Sequence, residues 1–120
     1  MTWEVFLLLS LFGIKHFIAD FPLQFQYMVK EKGIYGATGG LYHAFLHASF
    51  TFFVLIPFCS DSMLIILLPL LDFVLHYHID WAKVHFGTKN MQSSMFWNQF
   101  GLDQLAHQIT YLGIAYWVLL

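Results

Sequence analysis

Four short stretches of this sequence place histidine or aspartate four residues apart: "HFIAD" holds His16 and Asp20, "HAFLH" holds His43 and His47, "HYHID" holds His76 and Asp80, and "DQLAH" holds Asp103 and His107. On a helix, positions i and i+4 stand one turn apart on the same face, so each pair can project together. Asp72 extends the third stripe by one more turn, and Lys83 extends it the other way. Imidazole and carboxylate donors without thiolate suit zinc, manganese, iron or magnesium. The set His16, Asp20, His43, His47, His76, Asp80, Asp103 and His107 exceeds what one four-coordinate ion needs. It accommodates two divalent ions, with zinc the first choice. Two ions about 3.5 to 4 Å apart can stabilise both the attacking and the leaving oxygen of a displacement, which is the logic of metal-assisted phosphoester hydrolysis. In that chemistry Asp72, or a less tightly held aspartate, would serve as base, and Lys83 would stabilise developing phosphate charge.

A lone histidine or aspartate in a helix is more often a satisfied core residue than a ligand, and a single pair is weak evidence. Four pairs on four apolar segments weigh differently. His78 lies about 200° around the helix from His76 and His85 falls at the end of its segment, so neither is expected to ligate. Lys15 and Lys83 are expected to snorkel toward lipid headgroups in the first instance, although either could hold a phosphate. Cys59 is the only cysteine, which rules out an internal disulfide and leaves a packing role.

The elements that must carry these residues are set by composition. Of the 120 residues, 59% are hydrophobic and 10% charged, more apolar surface than a soluble domain of this size can bury. The bilayer is the expected solvent. About 20 apolar residues cross a hydrocarbon core of roughly 30 Å, and four such stretches fit, near residues 3–21, 40–58, 62–85 and 99–119. The expected fold is an all-α, integral-membrane four-helix bundle in a single domain covering residues 1–120. The first stretch lacks a basic start and a small-residue cleavage site, so it is expected to remain in the protein. Pro69 should remove one backbone donor within the third stretch and kink it above Asp72. A loop, "VKEKGIYGATGG", should follow the first span. The formal net charge of -2 offers no basic face for nucleic acid.

Alternating crossings put Lys15, Lys30, Lys32, Lys83 and Lys89 on or near one side, which the positive-inside rule assigns to the cytoplasm, with both termini on the other. Trp3 and Trp117 then fall at one interface, and Trp81 and Trp97 at the other. All four pairs sit near the cytoplasmic end, with Asp20, His43, Asp80 and Asp103 as an outer layer and His16, His47, His76 and His107 one turn deeper. Each aspartate within a span costs about 2.5–3.5 kcal/mol, less near the interface. Metal binding, proton sharing or transport must offset that.

The run "HFIADFPLQ", "HAFLH", "HIDWAK" and "DQLAH" resembles the domain of unknown function 3307 family of small phage and bacterial integral-membrane proteins. The resemblance spans nearly the whole chain, with motif positions at His16, Asp20, Gln24, His43, His47, Asp80, Lys83, Asp103, Gln104 and His107. It is similar in style to inner-membrane proteins regarded as metal-dependent hydrolases. That implies a bacterial inner membrane, a chain of bacterial or phage origin, and hydrolysis of a membrane lipid or lipid-linked phosphate. A homo-oligomer is allowed. Three other readings stay open: a di-iron membrane oxidase or hydroxylase, a non-enzymatic ion or proton conductor, and a phage protein that modulates the host membrane.

Overall fold

The computed structural model describes residues 2–120. It contains five helices and, among the described residues, no strand: α1 (Thr2–Asp20), α2 (Gln26–Glu31), α3 (Thr38–Leu55), α4 (Leu64–Phe86) and α5 (Ser94–Leu119). Local chemistry sets several boundaries. Asp61 Oδ1 accepts from the backbone N–H groups of Met63 (2.8 Å) and Leu64 (3.0 Å), satisfying two donors that a helix start leaves open. Ser93 caps α5 by accepting from Met95 N at 3.2 Å, so this helix begins before the apolar stretch that carries most of it. Helix α4 runs unbroken through Pro69.

Helix α2 corrects the expected loop after the first span. Six residues are too few for a hydrophobic period to register, and tertiary packing holds the turn instead. Met28 is fully buried beneath it. Two glycines at the start of α3 let α2 come close: a Cβ at Gly39 would stand 2.5 Å from Glu31 Oε2 and 2.8 Å from the Tyr27 carbonyl oxygen, and one at Gly40 would stand 3.0 Å from Lys32 Cα. In return Glu31 Oε2 accepts from Gly39 N at 2.6 Å. The short helix thereby supplies the N-terminal cap that α3 lacks in its own sequence.

The long helices pack in the cyclic order α1, α3, α4, α5, with α2 lying on α3. Helix α1 therefore faces α4 across the middle, and α3 faces α5. One end of this ring is closed by an apolar cluster of Leu8, Phe12, Leu55, Leu68 and Ile114. The other end is lined by the histidines and aspartates. The outward faces reverse the usual distribution: Ile14, Phe17, Phe45, Phe53, Leu70, Leu105 and Ile109 are all more than half exposed, whereas Lys15, Asp72, Asp80 and Asp103 are buried. Helices α1 and α4 are long and apolar enough to cross a membrane.

Candidate metal centre

The i, i+4 geometry draws each pair together first. His16 Nε2 lies 2.9 Å from Asp20 Oδ2, His76 Nε2 3.2 Å from Asp80 Oδ2, and His107 Nε2 3.5 Å from Asp103 Oδ1. The His43 and His47 rings meet edge-on with centroids 4.8 Å apart. Packing then joins the pairs across helices. Asp20 on α1 receives both histidines of α3, His43 Nε2 at 3.1 Å and His47 Nε2 at 2.8 Å. Asp80 on α4 receives His43 Nε2 at 3.4 Å and, from α5, His107 Nε2 at 3.0 Å. Five imidazoles thus present the same nitrogen, Nε2, toward two carboxylates. Beneath them His47, His76 and His107 stack in a row, with centroid spacings of 3.7 and 4.1 Å.

Two groups have the compactness of an ion site: Asp20 with His43, His47 and His76, and His76 with Asp80 and His107. His76 belongs to both. Ligands about 2.0–2.1 Å from one ion stand roughly 2.9–3.4 Å apart on an octahedral or tetrahedral edge. The spacings of His43 and His47 to Asp20 (3.1 and 2.8 Å) and of His76 and His107 to Asp80 (3.2 and 3.0 Å) lie in or close to that range, but a histidine–carboxylate hydrogen bond has a similar length. Direction separates the two possibilities. Neither ring nitrogen of His43 or of His76 makes a hydrogen bond, although each residue is only 1% exposed. An unsatisfied buried polar group costs about 1–3 kcal/mol, and a cation at Nε2 removes that penalty. The donor set therefore fits one or two divalent ions.

The remaining expected ligands sit at the edge of this arrangement. His16 Nε2 faces two acceptor oxygens, Asp20 Oδ2 and Gln104 Oε1, each at 2.9 Å. Gln104 is held in that orientation because its Nε2 donates to Asp103 Oδ2 at 3.0 Å. His16 Nε2 consequently carries the proton, and Nδ1 accepts from the Tyr111 hydroxyl at 2.7 Å. Asp103 Oδ2 also accepts from Lys83 Nζ at 3.4 Å, while its buried Oδ1 has no hydrogen-bond donor. A cleft of about 400 Å³, lined in part by Ile79, Lys83, Gln99 and Ala106, reaches Asp103 from outside.

Asp72 lies on the same α4 face one turn from His76, where its Oδ2 accepts from Thr51 Oγ1 (2.5 Å) and Lys15 Nζ (3.0 Å). Lys15 does not snorkel outward as expected. It is 4% exposed, lies 3.2 Å from His47 Nδ1, donates to the His47 carbonyl at 3.3 Å, and sits over the Tyr111 ring. The reason is the Asp72 carboxylate, a partner within reach on the opposite helix that outcompetes a longer path to the surface. His78 and His85 stay outside the cluster. His78 is exposed against the Tyr35 hydroxyl at 2.8 Å, and exposed His85 stacks on Trp81. Cys59 is half-buried, with its thiol 3.6 Å from the Asp61 carbonyl.

Sequence reasoning missed Tyr111 and Lys32. Lys32 is 7% exposed, and its ammonium donates to Gln24 Oε1 at 2.9 Å and Asp80 Oδ2 at 3.5 Å. Its position in a glycine-rich connection carried no signal of burial. Tyr111 lies four residues beyond His107 on the same stripe, so the period that identified the other residues could have found it.

A family model described as protein of unknown function (DUF3307) matches residues 7–120, and the chain belongs to that family. No curated protein and no solved structure matches it.

Proposed function

We propose that this member of the family is an integral-membrane, divalent-metal-dependent hydrolase of phosphoesters, such as a lipid headgroup or an isoprenoid phosphate. The observation that carries the reading is the convergence of four histidine Nε2 atoms, from His43, His47, His76 and His107, on Asp20 and Asp80, with His76 common to two ligand groups. The membrane setting rests on the apolar exterior of all four long helices and the buried charges within, an inversion that suits lipid as solvent. In this reading α1, α3, α4 and α5 are a membrane-crossing bundle. The lysine-bearing end faces the cytoplasm of a bacterial inner membrane, with both termini on the far side.

Zinc leads the ion choices, with manganese, iron and magnesium behind it, held by His43, His47, Asp20, His76, Asp80 and His107. When bound, the ions supply Lewis acidity and a lowered water pKa at neutral pH. The chain's own residues do the rest. Asp103, which lines the outer cleft and whose Oδ1 makes no hydrogen bond and only a 3.5 Å contact to His107 Nε2, is better placed as general base than Asp72, whose Oδ2 is already engaged by Lys15 and Thr51. Lys83 presents its ammonium beside Asp103 to stabilise charge developing on phosphate. His16, oriented by Gln104 and Tyr111, positions Asp20. The apolar cluster closing the opposite end argues against the conductor. A di-iron oxidase would use the same ligands and is separated by metal identity.

Elemental analysis of detergent-purified protein tests the reading directly. One to two ions per chain are expected, falling by at least half in Asp80→Ala, together with metal-dependent release of phosphate from a phosphoester substrate. An ion content near zero, or one unchanged in Asp80→Ala, overturns it. Iron coupled to oxygen-dependent turnover would replace hydrolysis with oxidation.

A further inference from the structure

The chain has five lysines and no arginine. Lys15 is spent on Asp72; the other four, Lys30, Lys32, Lys83 and Lys89, all line one cavity of about 510 Å³ between α2, the C-terminal end of α4 and the N-terminal end of α5. Interfacial lysines that merely snorkel to headgroups spread outward into solvent. Here Lys32 does the opposite, being almost wholly buried and directed at Asp80. Lys83 reaches Asp103 while its ammonium stands 5.3 Å from the Phe100 ring centroid. These two lysines connect the cavity to Asp80 of the ligand group and to Asp103 beside it. An ammonium carries three N–H donors; Lys32 uses two, on Gln24 and Asp80, and Lys83 one, on Asp103, so both retain donor capacity for a second anion. The rest of the lining divides in two. Gln24, Thr88 and Gln99 are polar, and Val29, Met91 and Phe96 are apolar.

We infer that this cavity is the substrate-binding site and that its ligand is an amphiphile bearing a phosphate group. The phosphate sits between Lys32 and Lys83 next to Asp80 and Asp103, the outer lysines Lys30 and Lys89 neutralise its remaining charge, and the hydrocarbon lies along Val29, Met91 and Phe96. The placement deepens the hydrolase reading and rests on it for the reaction, but binding itself needs only the cavity. Helix α2 gains a function from this: by docking on Gly39 and Gly40 it carries Lys32 and Lys30 over the mouth of the metal centre.

The test is equilibrium binding of dodecyl phosphate to the detergent-solubilised full chain, with inorganic phosphate and dodecyltrimethylammonium as comparison probes and metal content measured on the same samples. Dodecyl phosphate should bind saturably, and Lys32→Gln should weaken it about tenfold or more, as expected for losing a hydrogen bond to a charged group, with metal content retained. The surface double variant Lys30→Gln/Lys89→Gln should weaken it several-fold, which keeps the test open if Lys32→Gln fails to fold. The cationic probe should not compete. Metal bound stoichiometrically with dodecyl phosphate binding indifferent to these lysines overturns the cavity assignment and leaves the hydrolase reading standing. Lysine-dependent binding without any metal upholds the cavity and sinks the hydrolase. Inorganic phosphate binding as tightly as dodecyl phosphate overturns the amphiphile in favour of a soluble phosphoester.

Discussion

Lys15 and Asp72 form an ion pair at 3.0 Å with side chains 4% and 1% exposed, beneath the histidine row. Replacing Lys15 by methionine leaves the Asp72 carboxylate without its counter-charge in a setting that water does not reach. At this separation the attraction is about 5.5 kcal/mol for an effective dielectric near 20. Breaking a buried pair by removing one partner costs about 3–5 kcal/mol, a large part of the roughly 5–15 kcal/mol that holds a small domain folded. Asp72→Leu should cost a comparable amount by stranding the ammonium. The double variant Lys15→Met/Asp72→Leu removes both charges, and Thr51 can then donate to the His47 carbonyl that Lys15 vacates, as Thr110 donates to Ala106 O. It should be destabilised by less than either single variant, under about 2 kcal/mol. Reversible unfolding in mixed micelles, followed by circular dichroism, gives all three values. Single variants within about 1 kcal/mol of the parent, or a double variant equal to the sum of the singles, would refute the buried pair.

His76→Ala should remove both ions at once, because His76 belongs to both ligand groups, whereas His47→Ala and His107→Ala should each lose only one; elemental analysis of the three variants checks the sharing. Asp103→Asn should lower phosphoester turnover by about 10²–10⁴, the contribution of a general base, while retaining at least the ion held through Asp20, and a variant with unchanged kcat would dismiss Asp103 from the chemistry. Glu31→Ala should cost about 1–2 kcal/mol through loss of the α3 cap, visible as a lower Tm, and Gly39→Ala should destabilise further because its new methyl meets the Tyr27 carbonyl oxygen at 2.8 Å.

The helical stripe explains how much of the site could be read from sequence. His16 with Asp20, His76 with Asp80 and Asp103 with His107 touch in the fold because 3.6 residues per turn forces them onto one face, and no knowledge of neighbouring helices is needed for that. The same period excluded His78, which is exposed. It was silent on α2, where six residues give no stripe to read, and it misplaced Lys15, since a residue adjacent in sequence to His16 has no reason to be buried until α4 supplies Asp72 across from it.

By itself the sequence determined that histidine and aspartate stand in four helical pairs on apolar segments, because spacing along one helix is a local property of the backbone. Only the tertiary structure decided which pair meets which. The order α1, α3, α4, α5 made Asp20 and Asp80 the shared carboxylates and placed His76 between two ligand groups, and the packing of α2 against Gly39 and Gly40 brought Lys32 to Asp80. Those partners are separated by tens of residues in the chain. Their meeting depends on which helix faces fit together, and that is decided by the packing of whole surfaces rather than by any one period.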